Sequence, residues 1–220
     1  MAMTKTIIAI AGFKGSGKDT LGSYLSKNHG FQTTSFAKPL KRALCEMFGW
    51  KRQMLEGTTA ASRAWREQPD EFWSNQFGKP VTPRFIMQNF GTDVVRKHML
   101  DGFWVSATKK EIMQTVTSVV VTDARFKNEL AMVKELNGIT IRVVRGDEPE
   151  WFEKAAWLNQ QHKFLKPMLG WLLPEVTAVH ASERDWIGWN FDYTVYNDGD
   201  LDHLYAQVEK IMEKINKLPG

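Results

Sequence analysis

At 220 residues the chain is long enough to bury a full α/β core, and 43% hydrophobic with 25% charged residues is an ordinary globular composition. One cysteine, Cys45, excludes an internal disulfide framework and a cysteine-built metal cluster, and no apolar run reaches membrane-spanning length. The net charge of +4 is spread as scattered Lys and Arg rather than in blocks, which favours a small phosphorylated ligand over a nucleic-acid track.

The apolar run Ile7-Ile8-Ala9-Ile10-Ala11 reads as a buried strand, and Leu21, Tyr24 and Leu25 share one face of a following helix. Between them lies Gly12-Phe13-Lys14-Gly15-Ser16-Gly17-Lys18-Asp19-Thr20. Glycines at 12, 15 and 17 let successive N–H groups turn inward as an anion nest at a helix N-terminus, and Lys18 adds a mobile cation. The spacing is that of a P-loop, except that Asp19 stands where Ser or Thr is expected and Thr20 comes one place late. Either Asp19 serves a magnesium ion with its carboxylate, or Ser16 and Thr20 supply the hydroxyls. The bland alternative, a turn that binds nothing, is disfavoured by the strand-to-helix setting.

Residues 31–35 read as a second strand, and Pro39 opens a helix to about Trp50 with Leu40, Ala43, Leu44, Met47 and Phe48 on its apolar side. Residues 51–83 are polar, aromatic and poorly periodic, the pattern of an insertion over the sheet without core of its own. Trp65, Trp73 and Trp104 lie among polar residues and are candidates to flank a base. The next helix begins at Thr82-Pro83-Arg84 and runs to about Met99, with Phe85, Ile86, Phe90, Val94, Val95 and Met99 as its apolar set. Arg84, Gln88 and Arg96 fall elsewhere on it as candidate acceptor contacts, and Gly91 either interrupts it or marks a close approach.

A helix over 105–115 precedes the β-branched run 118–122, a strand buried on both faces, with Asp123-Ala124-Arg125 at its C-terminal end. Asp123 matches the place of a Walker-B carboxylate, and Arg125 can bind a phosphate bidentately. Their alternative is a structural ion pair capping the helix over 128–136. Residues 139–144 form the fourth strand, in which Arg142 reads as a solvated face or a helix contact. Arg145 then opens the irregular, Trp-rich segment 146–190, where a closing flap would hinge. Within it His180 reads as a capping residue and Arg184 as a surface residue or a cation delivered on closure. Residues 193–196 are a fifth strand, and a last helix over 201–218 buries Leu201, Leu204, Val208, Ile211, Met212 and Ile215. Alternating strands and helices predict a parallel sheet whose ligands bind beyond the C-terminal strand ends, where the glycine-rich loop, residues 36–41, Asp123, Arg125 and Arg145 all fall.

The glycine-rich loop, Phe-Ala-Lys-Pro-Leu-Lys at 36–41, Met-Gln-Asn-Phe-Gly-Thr-Asp-Val-Val-Arg at 87–96, Asp-Ala-Arg-Phe-Lys-Asn-Glu at 123–129 and His-Ala-Ser-Glu at 180–183 together resemble the bacteriophage-type deoxynucleoside monophosphate kinases. The resemblance implies a single α/β domain over 1–220 with the three-layer P-loop NTPase fold: a parallel five-stranded sheet, an acceptor-binding insertion at 51–83 and a lid at 146–190. It implies use of ATP and Mg2+ to convert deoxynucleoside monophosphates to diphosphates for DNA synthesis. The setting implied is the cytoplasm, that of an infected host if phage-encoded, with a homodimer and neither membrane nor stable nucleic-acid binding. By the same resemblance, the loop from Gly12 and Lys14 through Thr20 holds ATP phosphates, and Asp19 and Asp123 hold the metal. Lys18, Asp123, Arg125 and Arg145 act at the transferring group, and Lys41, Arg84, Gln88, Arg96 and Arg125 face the acceptor. Animal-type phosphomevalonate kinases share a similar Ser-Gly-Lys-Asp loop, so a different phosphorylated acceptor is the nearest rival. A P-loop switch or nucleic-acid-binding protein is the rival from another class.

Overall fold

The computed structural model describes residues 5–161 and 164–217. Five strands, β1 (Ile7–Ala11), β2 (Gln32–Thr34), β3 (Val119–Val121), β4 (Ile139–Val144) and β5 (Tyr193–Tyr196), pair in parallel in the order β2-β3-β1-β4-β5. Every residue of β1 and β3 is buried, as expected of central strands covered on both faces. The register sets Ala9 against Val121, Ala11 against Arg142 and Val144 against Tyr196, so the residues following β1, β3, β4 and β5 leave along one edge of the sheet.

Helix α1 (Lys18–His29) starts at Gly17 and ends at Gly30, both in the left-handed conformation. A Cβ on Gly22 would come within 2.3 Å of the Thr122 side chain, so glycine lets α1 lie close against the chain leaving β3. The last helix, α13 (Leu201–Lys217), contributes Leu204, Val208, Ile211, Met212 and Ile215 to a core that also holds Leu21 and Leu25 of α1 and Ile8, Ile10, Val120, Ile141 and Val195 of the sheet. At roughly 1.5–3 kcal/mol for each fully buried large aliphatic side chain, this cluster is the main source of cohesion here. Leu201, expected in that core, is exposed because it sits in the first turn, before the helix meets the sheet. Leu218, the expected end of the helix, lies outside the described residues.

The chain forms two compact units, Met1–Ser35 with Ile112–Gly220, and Phe36–Glu111. The second contains α2 (Ala37–Phe48), α3 (Arg52–Glu56), α4 (Ala60–Glu67), α5 (Glu71–Phe77), α6 (Pro83–Gln88) and a π-helical segment, Asn89–Met99. Helix α7 (Phe103–Gln114) follows. Contrary to expectation, residues 51–83 are helical and contribute to a core of their own. Thr59, Asp70 and Thr82 cap α4, α5 and α6 by accepting from Ser62, Trp73 and Phe85 N–H groups. Leu40, Leu44, Trp50, Leu55, Val95 and Trp104 form the core, with Trp65 and Trp73 packed against it. The tryptophans read as base-flanking are thus structural: Trp104 is buried and donates to Gly91 O at 2.8 Å, and Trp73 donates to Phe48 O.

The single long helix expected over 83–99 is also corrected. Its second part is wound with i→i+5 bonds, which breaks the α-helical period; Val94 and Met99 there are exposed, as is Phe85 in α6. Gly91 does mark a close approach, since a Cβ there would lie 2.8 Å from Leu40 Cδ2. Met47, expected on the apolar side of α2, is exposed.

In the first unit, residues 146–190, expected to be irregular, carry short helices, α9 (Phe152–Gln160), α10 (Lys166–Trp171), α11 (Pro174–Thr177) and α12 (Ala181–Arg184). Phe152, Ala155, Leu158, Val176, Trp186 and Ile187 are buried, and Asn159 Nδ2 donates to the Arg184 and Ile187 carbonyls. Between β3 and β4, α8 (Lys127–Glu135) packs on β1 and β4. The expected α/β fold with a parallel five-stranded sheet follows from this order of elements.

Candidate phosphate-binding site

Where β1 meets α1, Gly12, Gly15 and Gly17 adopt φ of 147°, 82° and 105°, so the chain turns three times within six residues. A Cβ on Gly12 would sit 2.4 Å from Val143 O, which makes a side chain there incompatible with β4. Gly15 faces open space, with nothing within 4 Å of where a Cβ would be. Ser16 is buried and its Oγ has no hydrogen-bond partner, a polar atom left for a ligand to satisfy. Lys18 Nζ folds back onto its own loop, donating to Gly12 O at 2.8 Å and Phe13 O at 2.6 Å.

Burial, and then the charge of Arg125, push the Lys18 ammonium below the usual lysine range, while Asp19, Glu183 and Asp123 pull it back up. Those influences place Arg125 and Asp123 within electrostatic reach of the loop. Arg125 Nη1 pairs with Glu183 of α12 at 2.8 Å. The start of the following helix is capped by Glu129, which is buried and accepts from the Arg125 and Phe126 N–H groups. Arg145, at the end of β4, is exposed and donates weakly to Gly15 O at 3.4 Å.

The residues after β5 complete the site. Asn197 Nδ2 donates to Ser16 O at 2.8 Å and would stand 2.5 Å from a Cβ on Gly17, which ties the loop to the sheet. A cavity of about 560 Å³ opens here, lined by Gly15, Gly17, Lys18, Asp19, Thr20, Arg145, Asn197, Gly199, Asp200 and Leu201. Residues 197–201 were missed from sequence, although Asn-Asp-Gly-Asp directly after a strand is a turn at the very edge where ligands bind in such sheets. The helical segment reaches the loop as well: the Phe13 ring meets Trp151, Phe152 and Trp186 edge-on at 5.1–6.0 Å. Arg142, read as a solvated face or a helix contact, has its guanidinium over Phe152 at 4.7 Å and pairs with Glu148. His180 caps α12, and Arg184 Nε is held by Val179 O.

The other expected acceptor residues all lie in the second unit. Lys41 is buried and donates to Glu56 at 2.6 Å, and Arg84 donates to Glu67 at 2.9 Å. Gln88 is exposed at the end of α6, and Arg96 lies in the π-helical segment near Asp101, off the α-helical row that would have aligned it with Arg84 and Gln88.

A nucleotide-triphosphate tail fits the first unit's cavity, because the space at Gly15 is open and the unsatisfied Ser16 Oγ and Lys18 supply donors. Among the described residues no group of three or more His, Cys, Asp or Glu side chains could hold a metal alone. Mg2+ taken up with phosphate oxygens needs one or two carboxylates, for which Asp19 or Asp123 would serve.

The family model for deoxynucleotide monophosphate kinase matches residues 6–70 and 56–154. The chain belongs to that family. A relative from Acanthamoeba polyphaga mimivirus, provisionally named deoxynucleotide monophosphate kinase, is 36% identical over 152 residues, 63% of this chain and 74% of its own. Among solved structures, shikimate kinase from Aquifex aeolicus matches at 17% identity and a TM-score of 0.46, covering 98% of this chain and 100% of its own. Dephospho-CoA kinase from Campylobacter jejuni matches at 14% identity and 0.46, covering 97% and 98%. The kinase is thus a phosphotransferase with a phosphate group as acceptor, and no helix among its described residues is long and apolar enough to cross a membrane.

Proposed function

We propose that this kinase phosphorylates deoxynucleoside 5′-monophosphates to diphosphates with ATP and Mg2+ as donor. The observation that carries the reading is the loop cavity itself: open space at Gly15, a buried Ser16 Oγ without a partner, and Lys18 within electrostatic reach of Asp123 and Arg125. When bound, magnesium-ATP supplies the phosphoryl group and part of the charge neutralisation its transfer requires. The loop amides and Lys18 hold the phosphate tail in line, with Gly12, Lys14, Ser16, Gly17 and Thr20 shaping the cradle. Arg125, released from Glu183, and Arg145 balance charge on the moving group. Asp19 and Asp123 serve the metal. An acceptor phosphate is already anionic at neutral pH, so no general base is needed. Lys41, Arg84, Gln88 and Arg96 face that acceptor, residues 51–83 form its side of the site, and residues 146–190 act as the lid. The working species is a cytoplasmic homodimer, which sedimentation velocity checks.

A panel of magnesium-ATP with each ribo- and deoxynucleoside monophosphate, nucleosides and phosphomevalonate tests the reading. Deoxynucleoside diphosphates are the expected products. Phosphorylation of phosphomevalonate or nucleosides alone, or salt-sensitive DNA binding with no transfer at all, would overturn it.

A further inference from the structure

At the end of β5, which is an edge strand, the backbone is held from both sides. Toward β4, the Asn197 N–H donates to Val144 O at 2.8 Å. On the open edge, the Gln207 carboxamide of α13 takes the place of a neighbouring strand at Tyr196, accepting from its N–H at 2.9 Å and donating to its carbonyl at 2.8 Å. An edge strand leaves such groups unpaired unless another part of the chain covers them. The backbone at 196 and 197 is therefore fixed before any side chain acts.

From that support Asn197 Nδ2 reaches Ser16 O at 2.8 Å, a normal hydrogen-bond distance. Position 17 is matched to it: a Cβ on Gly17 would stand 2.5 Å from Nδ2, so any side chain there would displace the carboxamide. In a planar trans peptide the carbonyl and the following N–H point in opposite directions. Holding Ser16 O thus also sets the direction of the Gly17 N–H, which has no acceptor among the described residues. Gly17 has a φ of 105°, and a glycine peptide left unheld could swing over a wide range of angles. Gly17 and Asn197 both line the loop cavity.

We propose that Asn197 is a positioning residue: by gripping the Ser16 carbonyl it presets the Gly17 N–H as a donor to the anionic tail of the phosphoryl donor, and Gln207 braces it from α13. A hydrogen-bond donor fixed in advance binds without reorganising, which is the advantage of a preorganised loop over a flexible one. That the tail belongs to ATP rests on the kinase reading above; the grip on the loop does not.

The test uses the full-length protein and its Asn197→Ala and Gln207→Ala variants. Magnesium tripolyphosphate is titrated by calorimetry, and KM is measured for ATP and for a deoxynucleoside monophosphate. Asn197→Ala should weaken tripolyphosphate binding and raise KM for ATP by about tenfold, the scale of one hydrogen bond, with acceptor KM within about twofold of wild type. Gln207 lies outside the cavity wall, so Gln207→Ala acts only through Asn197 and should give the same split at about threefold. A folded Asn197→Ala protein with a lowered melting point but wild-type tripolyphosphate affinity would make Asn197 structural and overturn the inference. An equal rise in both KM values would overturn it as well, because the grip acts on the donor side alone. If Asn197→Ala does not fold, Gln207→Ala decides, and unchanged tripolyphosphate affinity there ends the proposal. Kinase turnover with wild-type ATP KM in Asn197→Ala leaves the kinase reading standing and removes the inference. If no nucleotide is phosphorylated, yet tripolyphosphate binding falls in both variants, the kinase reading fails and the positioning role stands.

Discussion

Lys18 is held between two charge environments, its ammonium donating to the carbonyls of Gly12 and Phe13 while Arg125 presses its pKa down. On the proposed reading a phosphate tail would relieve both, accepting from Lys18 and offering Arg125 an anion in place of Glu183. Lys18→Ala and Arg125→Ala should therefore each lower kcat by about a hundredfold or more, the loss of one preorganised charge contact, in a steady-state coupled assay on proteins with unchanged circular dichroism. Near-native turnover in Arg125→Ala would remove that residue from the site. Gly12 is a stability matter before it is a catalytic one. A Cβ there meets the backbone oxygen of Val143 at 2.4 Å, at a φ of 147°, so neither partner can yield without moving β4. Gly12→Ala is expected to cost about 1–3 kcal/mol by urea denaturation, where an alanine at the open Gly15 pays only for its φ of 82°.

Asp192, just before β5, ties that edge strand to its neighbours by accepting from the Thr140 N–H and hydroxyl and pairing with Lys134 of α8. Burial pushes its carboxyl up, but the bonds from Lys134 and Thr140 outweigh this and hold it below its ordinary 3.8. A depressed folded-state pKa means the stabilisation is complete above the unfolded value and fades as pH falls through the folded one. Asp192→Asn should thus be less stable than wild type at pH 7, by about 1 kcal/mol or less because the pair is partly exposed, with the difference closing as pH drops below about 4. Urea melts across that range measure it. The elements themselves divide by how their side chains carry information. The uniformly apolar β1 and β3 and the strict spacing of Leu204, Val208, Ile211, Met212 and Ile215 in α13 were readable, because burial on two faces or on one helical stripe writes a periodic pattern. Asn89–Met99 was not: its π-helical winding depends on how Gly91 meets Leu40 and Trp104, partners 51 and 13 positions away. Residues 51–83 hid for a similar reason, since helices of five to eight residues are too short to show a period and their tryptophans look exposed until the core that receives them exists. At the candidate site, the glycine loop between β1 and α1 and the position of Asp123 and Arg125 just after β3 were legible from spacing, whereas Asn197 is tied to the loop by a bond to Ser16, distant in sequence.

Each unit has a core of its own, one around Ile8, Leu25 and Val208, the other around Leu44, Leu55 and Trp104, so each can respond to a ligand as a cooperative body. Donor and acceptor should then leave separate footprints. A non-hydrolysable ATP analogue with Mg2+ is expected to slow amide hydrogen exchange at residues 14–20 and 197–201, because Asn197 fastens the loop to the chain after β5 and the cavity wall spans both. A deoxynucleoside monophosphate alone should instead slow exchange at residues 52–66, where Arg66, Gly57 and the Thr59 cap form one local structure. The mechanism makes the separation informative, since protection of an opened segment follows the free energy that binding adds to it. If the ATP analogue protected only residues 52–66, or the monophosphate only the loop, donor and acceptor would have been assigned to the wrong units.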